Sequence, residues 1–299
     1  MGSIRIGLSS WTDKSLIESG KFYPAGMTDA EGRLRYYVSQ FPRLVEVNST
    51  YYGLPSERNA IAWAERTPDD FLFDVKMFSL LTQHPTQPRS LPKDMLQALD
   101  AGVRAKEQIY LNQVPPAIAG EIMKRFVAAL TPLRAAGKLG AILLQFPRWF
   151  KAGRPALEHI AWCQEQLGDL RAAVEFRSAD WLSDAKRADT LAFLKERRLT
   201  YVCVDEPQGL ASSMPPLAVA TTPQLAYVRF HGRRAGVWEK AGASVQERTQ
   251  YVYSEAELRE WVPKLRALAA EAEDVHVLMN TNFEDHAVLN ARQLRLLLA

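Results

Sequence analysis

Six short apolar runs along the chain close on polar residues: Val45-Glu46-Val47-Asn48, Phe73-Asp74-Val75-Lys76, Val174-Glu175-Phe176-Arg177, Val202-Cys203-Val204-Asp205, Val228-Arg229-Phe230-His231 and Met279-Asn280-Thr281-Asn282. Residues i and i+2 of a strand share a face, so five of these runs send two polar groups to one side at the strand's C-terminal end. The run ending at Asp205 sends one. Scanned for period, the chain offers strand patterns at 4–9, 44–48, 71–76, 140–146, 172–177, 201–205, 226–231 and 275–280. Helical patterns alternate with them at 29–41, 56–66, 93–105, 117–136, 155–167, 184–197, 255–272 and 285–298. In the first of these Leu34, Tyr37, Val38 and Phe41 line one face, and Thr28-x-x-Glu31 offers a capping box.

Strand and helix alternating in this way imply parallel strands with crossover helices. Eight of each favour a single α/β TIM barrel, (β/α)8, over a doubly wound open sheet. A fold of that kind takes about 250 residues, which the 299 here accommodate as one domain. The long interval between the third and fourth strands, residues 77–138, reads as a helical insertion, either a lid over the barrel or an interface. The first turn, Gly7-Leu8-Ser9-Ser10-Trp11, has no GxGxxG pattern, and no Walker-type loop occurs, so no nucleotide cofactor is expected.

Active sites of such barrels form where the C-terminal strand ends converge, and the polar pairs sit there. Glu46, Glu175, Asp205 and His231 are the candidate catalytic residues, the carboxylates as bases and His231 as acid or base because its ordinary pKa of about 6.5 lies near neutrality. Lys76, Arg177 and Arg229 are candidates to hold an anion, and burial would make Lys76 a base. Asn48, Asn280 and Asn282 would orient a substrate, with Tyr51, His84 and Gln145 completing the binding set. Asp74 shares a face with Lys76 and is its expected partner, while Trp11 and Tyr51 are expected to wall the pocket. His159 and His276 read as structural, as do Trp63, Trp162 and Trp261 at helical spacing.

Hydrophobic residues make up 47% of the chain and charged residues 24%, which excludes disorder. A net charge of +3, from 37 basic and 34 acidic residues, is too mild to argue for a nucleic-acid partner by itself. Two cysteines without CxxC spacing exclude a disulfide framework and a thiolate zinc site. The N-terminal residues lack a signal-peptide pattern and no apolar stretch is long enough for a bilayer, so a cytoplasmic protein without a membrane partner is expected. Glu46, Glu175, Asp205 and His231 would also suit Mg2+, Mn2+ or Zn2+, although Lys76, Arg177 and Arg229 compete for the same carboxylates. The stretch after the seventh strand interleaves Arg233, Arg234, Lys240 and Arg248 with Trp238, Tyr251 and Tyr253, a composition that can track phosphates and stack bases.

Taken in order, Ser10-Trp11, Phe22-Tyr23-Pro24, Glu46-Val47-Asn48-Ser49-Thr50-Tyr51-Tyr52 with Pro55, Trp63, Phe71-Leu72-Phe73-Asp74-Val75-Lys76, Thr82 with His84, Gln145-Phe146-Pro147, Glu175-Phe176-Arg177 with Trp181, Tyr227-Val228-Arg229-Phe230-His231-Gly232-Arg233 and Asn290-Ala291 give the chain a specific signature. Over nearly its full length it resembles the YecE-like family, domain of unknown function 72. The resemblance implies a TIM barrel whose biochemical role is not established. That barrel type is similar to the xylose-isomerase and endonuclease IV group, which suggests metal-assisted chemistry or phosphodiester recognition by analogy. The family tends to end its last strand with adjacent asparagines, which are split here as Asn280-Thr281-Asn282.

Three functions follow as expectations. The leading one is an enzyme acting by acid–base chemistry on a small anionic, phosphorylated or polyhydroxylated molecule. The second is a nucleic-acid-binding or phosphodiester-cleaving barrel, and the third a non-catalytic metabolite-binding protein.

Overall fold

The computed structural model describes residues 1–299, the side chain of Val245 excepted. Its strands are β1 (Ser3–Leu8), β2 (Leu44–Val47), β3 (Leu72–Lys76), β4 (Leu139–Gln145), β5 (Ala172–Glu175), β6 (Thr200–Asp205), β7 (Leu225–Phe230) and β8 (Asp274–Met279). All pair in parallel, in the order β1-β8-β7-β6-β5-β4-β3-β2, and curl into a nearly closed α/β TIM-like barrel. Each predicted strand is present, with ends displaced by no more than two residues.

The remaining gap lies between β1 and β2, and side chains bridge it. Tyr37, on the helix Ala30–Gln40, places its hydroxyl between the two strands: it accepts from the Leu8 amide and donates to the Leu44 carbonyl, each at 2.9 Å. Asn48 adds a second stitch through Nδ2, which donates to the Ser9 carbonyl at 2.6 Å. Gly7 is required at this junction, because a Cβ there would run into the Leu44 carbonyl.

Helices Glu57–Glu65, Pro116–Ala129, Arg154–Leu167, Arg187–Glu196, Val262–Glu271 and His286–Leu298 complete the outer layer with Ala30–Gln40. Asp29, not Thr28, caps the first of them, its carboxylate accepting from the Gly32 amide at 2.6 Å. Three predicted helices are broken. The pattern over 117–136 divides into Pro116–Ala129 and Thr131–Ala135, and that over 255–272 into Glu255–Arg259 and Val262–Glu271. Pro132 and Pro263 explain both breaks, since proline has no N–H to donate and is accommodated in a helix's first turn. The third, over 93–105, becomes Lys93–Gln97 and Ala101–Arg104, with Asp100 as N-cap of the second piece.

Between strands and helices lies the apolar core, in which Phe71, Phe126, Trp181 and Trp261 are fully buried. No helix among the described residues is long and apolar enough to cross a membrane. The barrel interior is another matter. Where such barrels are usually packed with branched aliphatic side chains, inward positions of β2, β3, β5, β7 and β8 carry ionisable side chains.

Candidate functional site

The polar residues inside the barrel stack in three tiers. At the lowest, Asp74 of β3 meets His276 of β8, with Nδ1 at 3.0 and 2.9 Å from the two carboxylate oxygens. Asp74 also accepts from the Ala141 amide at 2.8 Å, and Gly140 leaves the room for it, since a Cβ there would strike the carboxylate. Asp74 is therefore taken by β4 and β8, not by Lys76 as its shared face suggested.

The middle tier is built on Arg229 of β7. Its guanidinium donates from Nη1 to Glu175 at 2.6 Å and from Nη2 to Glu46 at 2.7 Å, while the Tyr227 hydroxyl donates to the second Glu46 oxygen at 2.8 Å. All three charged groups are buried. Ions withdrawn from water this completely persist only when paired, and one planar fork joins two carboxylates from strands three apart in the barrel. Arg229 is thus a fixed strut beneath the mouth, out of reach of the anion that its position had suggested it would bind.

The upper tier opens to solvent. Arg177 reaches Glu175 with Nε at 2.6 Å, Glu206 with Nη1 at 3.1 Å and His231 Nδ1 with Nη2 at 3.4 Å. Asn280 also donates to His231 Nδ1, at 2.9 Å, and His231 Nε2 stands 3.1 Å from Glu175. With two donors on Nδ1, the ring's proton belongs on Nε2, facing the carboxylate. Gln145 donates to Glu175 at 3.2 Å, and Asn282 reaches Asn280 at 3.4 Å, so the split asparagines still meet. Around the rim, Lys76 lies 4.4 Å from the centroid of the Tyr51 ring, and Tyr51 packs edge-on against His84. Lys76, Asn48, Gln145, Arg177, Asn280 and Asn282 are all half-buried.

Electrostatics separates fixed groups from responsive ones. Burial would raise the Glu175 carboxyl, but Arg229, Arg177 and His231 outweigh it and hold the group well below the usual range. Burial pushes Glu46 up in spite of Arg229 and Lys76. His231 is driven down to about 3 by burial and by Arg177, against the pull of Glu175, and is neutral at physiological pH. A histidine so placed positions Glu175 and Asn280. Two other groups titrate near neutrality. Lys76 is lowered to about 7 by burial and by Arg229, with Glu46 and Glu175 opposing, and Glu206 is raised to about 7 by burial against Arg177 and the Met214 amide.

Asp205 is not part of this assembly. It points outward into the helical layer, where it accepts from Trp261 Nε1 at 2.6 Å, from the Tyr253 hydroxyl at 2.7 Å and from Arg233 at 2.7 and 2.9 Å. The inward group at the end of β6 is the next residue, Glu206, whose signal was present in the alternation Val202, Val204, Glu206. Arg148, in the loop after β4, was also missed. It donates to the Trp238 carbonyl at 2.6 Å, and its guanidinium lies 5.6 Å from the Trp238 ring centroid, with that of Arg177 at 5.4 Å. Trp11, expected in the pocket wall, instead packs edge-on against Trp63 and Phe73 in the barrel–helix layer.

The metal set Glu46, Glu175, Asp205 and His231 does not assemble. Asp205 lies elsewhere, and cations and Tyr227 already hold the oxygens of Glu46 and Glu175. Among the described residues no group of three or more His, Cys, Asp or Glu is placed to hold a metal ion. The basic and aromatic stretch after β7 is largely engaged by its own chain, while Lys240 stays exposed. Arg233 binds Asp205 and Glu260, Arg234 binds Gln250 and the Glu247 carbonyl, Arg248 binds the Lys240 carbonyl, and Trp238 and Tyr253 are buried.

A family model described as "Protein of unknown function DUF72" matches residues 5–299. The chain belongs to the DUF72 family. It is 33% identical over 294 residues to the UPF0759 protein YunF of Bacillus subtilis (strain 168), covering 97% of this chain and 93% of that one. A crystal structure of a DUF72 family protein from Enterococcus faecalis V583 superposes with a TM-score of 0.78 at 27% identity, covering 99% of this chain and 95% of that chain. Another, from Thermotoga maritima MSB8, gives a TM-score of 0.76 at 29% identity, covering 99% of both chains. DUF72 membership and the barrel agree, and the family description assigns no activity.

Proposed function

We propose that this DUF72 barrel is an enzyme that takes a small anionic, polyhydroxylated molecule, a phosphorylated or carboxylated sugar derivative, at the C-terminal mouth and works on it by acid–base chemistry. The observation that carries this reading is the pair of guanidiniums, Arg148 and Arg177, held over one indole ring, that of Trp238. Arg148 has no carboxylate partner among the described residues, and Arg177 spends three contacts of a five-donor group on neighbours. Two cations close to one indole in a half-buried setting favour a planar or tetrahedral oxyanion. Asn48, Gln145, Asn280 and Asn282 supply neutral donors and acceptors suited to hydroxyls. Glu206 and Lys76 are the acid–base groups, since both change charge near neutral pH.

The nucleic-acid alternative draws less support, because Arg233, Arg234 and Arg248, three of the four basic residues that suggested it, are engaged within the chain. The test is a thermal-shift panel at pH 7 with ribose 5-phosphate, glycerol 3-phosphate, gluconate and inorganic phosphate. Stabilisation by an organic anion that is lost in Arg148→Met supports the reading. No response to any member, or an undiminished response in the variant, overturns the anion site.

A further inference from the structure

Lys76 is the one group at the mouth whose charged end is left unattached. Its backbone is fixed, the carbonyl accepting from the Thr50 hydroxyl at 2.6 Å, yet its ammonium has no hydrogen-bond or ion-pair partner among the described residues. The carboxylates that could have taken it are already claimed, Asp74 by His276 and Glu46 and Glu175 by Arg229. What it does touch is the face of Tyr51, at 4.4 Å. Tyr51 belongs to a continuous aromatic rim on this side of the mouth: Tyr52 to Tyr51 at 5.0 Å, Tyr51 to His84 at 5.2 Å and His84 to Trp149 at 6.2 Å. Tyr52 and Trp149 are 67% and 57% exposed at its two ends. A short carbon chain lying along that rim, with its anionic end on Arg148 and Arg177, would present its other atoms to the Lys76 amine.

An amine held in this way is suited to covalent capture of a carbonyl carbon. We propose that Lys76 forms an imine with an anionic aldehyde or ketone, an open-chain sugar phosphate being the substrate class that fits the rim, the cations and the amides together. This rests on the reading of the mouth given above and deepens it. In the step, the neutral Nζ lone pair forms a bond to the carbonyl carbon, and the C=O π pair moves to oxygen, which takes a proton. The nitrogen loses one proton, and the hydroxyl of the resulting carbinolamine leaves as water with a second proton. The balance is amine plus carbonyl plus one proton giving a protonated imine and water, with no oxidant or reductant. Burial makes the neutral amine available, since Lys76 loses its proton near pH 7.

The experiment incubates the full chain at pH 7 with glyceraldehyde 3-phosphate and, separately, glyceraldehyde, traps imines with cyanoborohydride and maps adducts by peptide mass spectrometry. Lys76 is expected to be labelled at least about tenfold faster than the exposed Lys14 and Lys93, with a rate that reaches half its plateau near pH 7. The phosphorylated aldehyde is expected to saturate at lower concentration. Labelling of Lys76 no faster than Lys14 overturns the imine, and if glycerol 3-phosphate still stabilises the protein the anion site stands without it. Fast labelling with no preference for the phosphate keeps the nucleophile and removes the anion site. A folded Lys76→Met variant must lose the fast adduct, and if the adduct persists the assignment is wrong.

Discussion

Arg229 shows what one side chain does for the barrel. Truncating it would leave Glu46 and Glu175 facing each other as buried carboxylates without their shared cation. Arg229→Leu is expected to cost about 3–5 kcal/mol, read as a drop in the urea midpoint, and a loss below 1 kcal/mol would show that the fork is not the strut described. Lys76 should behave in the opposite way. Its ammonium is desolvated without a partner, and its folded pKa lies below the unfolded value, so the folded state is penalised wherever the unfolded chain holds the proton. Lys76→Met is therefore expected to stabilise by about 1–2 kcal/mol at pH 7, a figure reduced for partial exposure, with the gain shrinking as pH rises toward 10. Equal effects at pH 7 and pH 10 would contradict it. At this scale the inward-facing residues were legible wherever strand parity held: Glu46, Lys76, Glu175, Arg177, His231 and Asn280 all point into the barrel, Glu46 below the mouth and the others toward it. Parity failed at β6 because the polar residue closing the apolar run, Asp205, belongs to the outer face, and its neighbour Glu206 carries the inward one. Arg148 lies on a loop, where no period exists to reveal it.

Among the elements, the strands were legible because parallel strands covered on both faces read as continuous apolar runs. Helix patterns were legible except where proline divided two of them and where that over 93–105 broke before the N-cap Asp100. The junction of β1 and β2 was not, since a ladder left incomplete has no sequence period. There the Tyr37 hydroxyl takes the place of backbone pairing. Tyr37→Phe keeps the ring in its buried position and strands one amide and one carbonyl, at a cost of about 1–3 kcal/mol. Hydrogen exchange at the Leu8 amide is expected to accelerate much more than exchange in β7, and uniform acceleration across the barrel would show that the hydroxyl is not a local stitch.

For the molecule as a whole, the interior charges make stability a function of pH. His84 and His231 are both depressed to about 3, chiefly by burial, while their unfolded values lie near 6.5. Their contribution is present in full above about pH 6.5 and is lost as pH falls toward 3, because the unfolded chain takes up protons that the folded one refuses. Glu206 acts in the other direction, its raised value adding stability below about pH 4.5 that is lost as pH rises through 7. His159 is lowered as well and Glu46 raised, so three groups oppose two and the melting temperature should fall between pH 6.5 and 5, above the range where ordinary carboxylates titrate. A flat profile there would mean that the two imidazoles are not held neutral.

The arrangement of strands also sets an order in time. β1 finds its backbone ladder in β8, 274 residues into the chain, while the strand that follows it offers only side-chain stitches. As the polypeptide emerges, β2 to β7 can each pair with the strand before or after them, but β1 must wait with an unsatisfied edge until β8 arrives. Ring closure is then a late, long-range event. The hydroxyl of Tyr37, 29 residues along from Leu8, is the partner available to hold that strand in register until its distant neighbour appears.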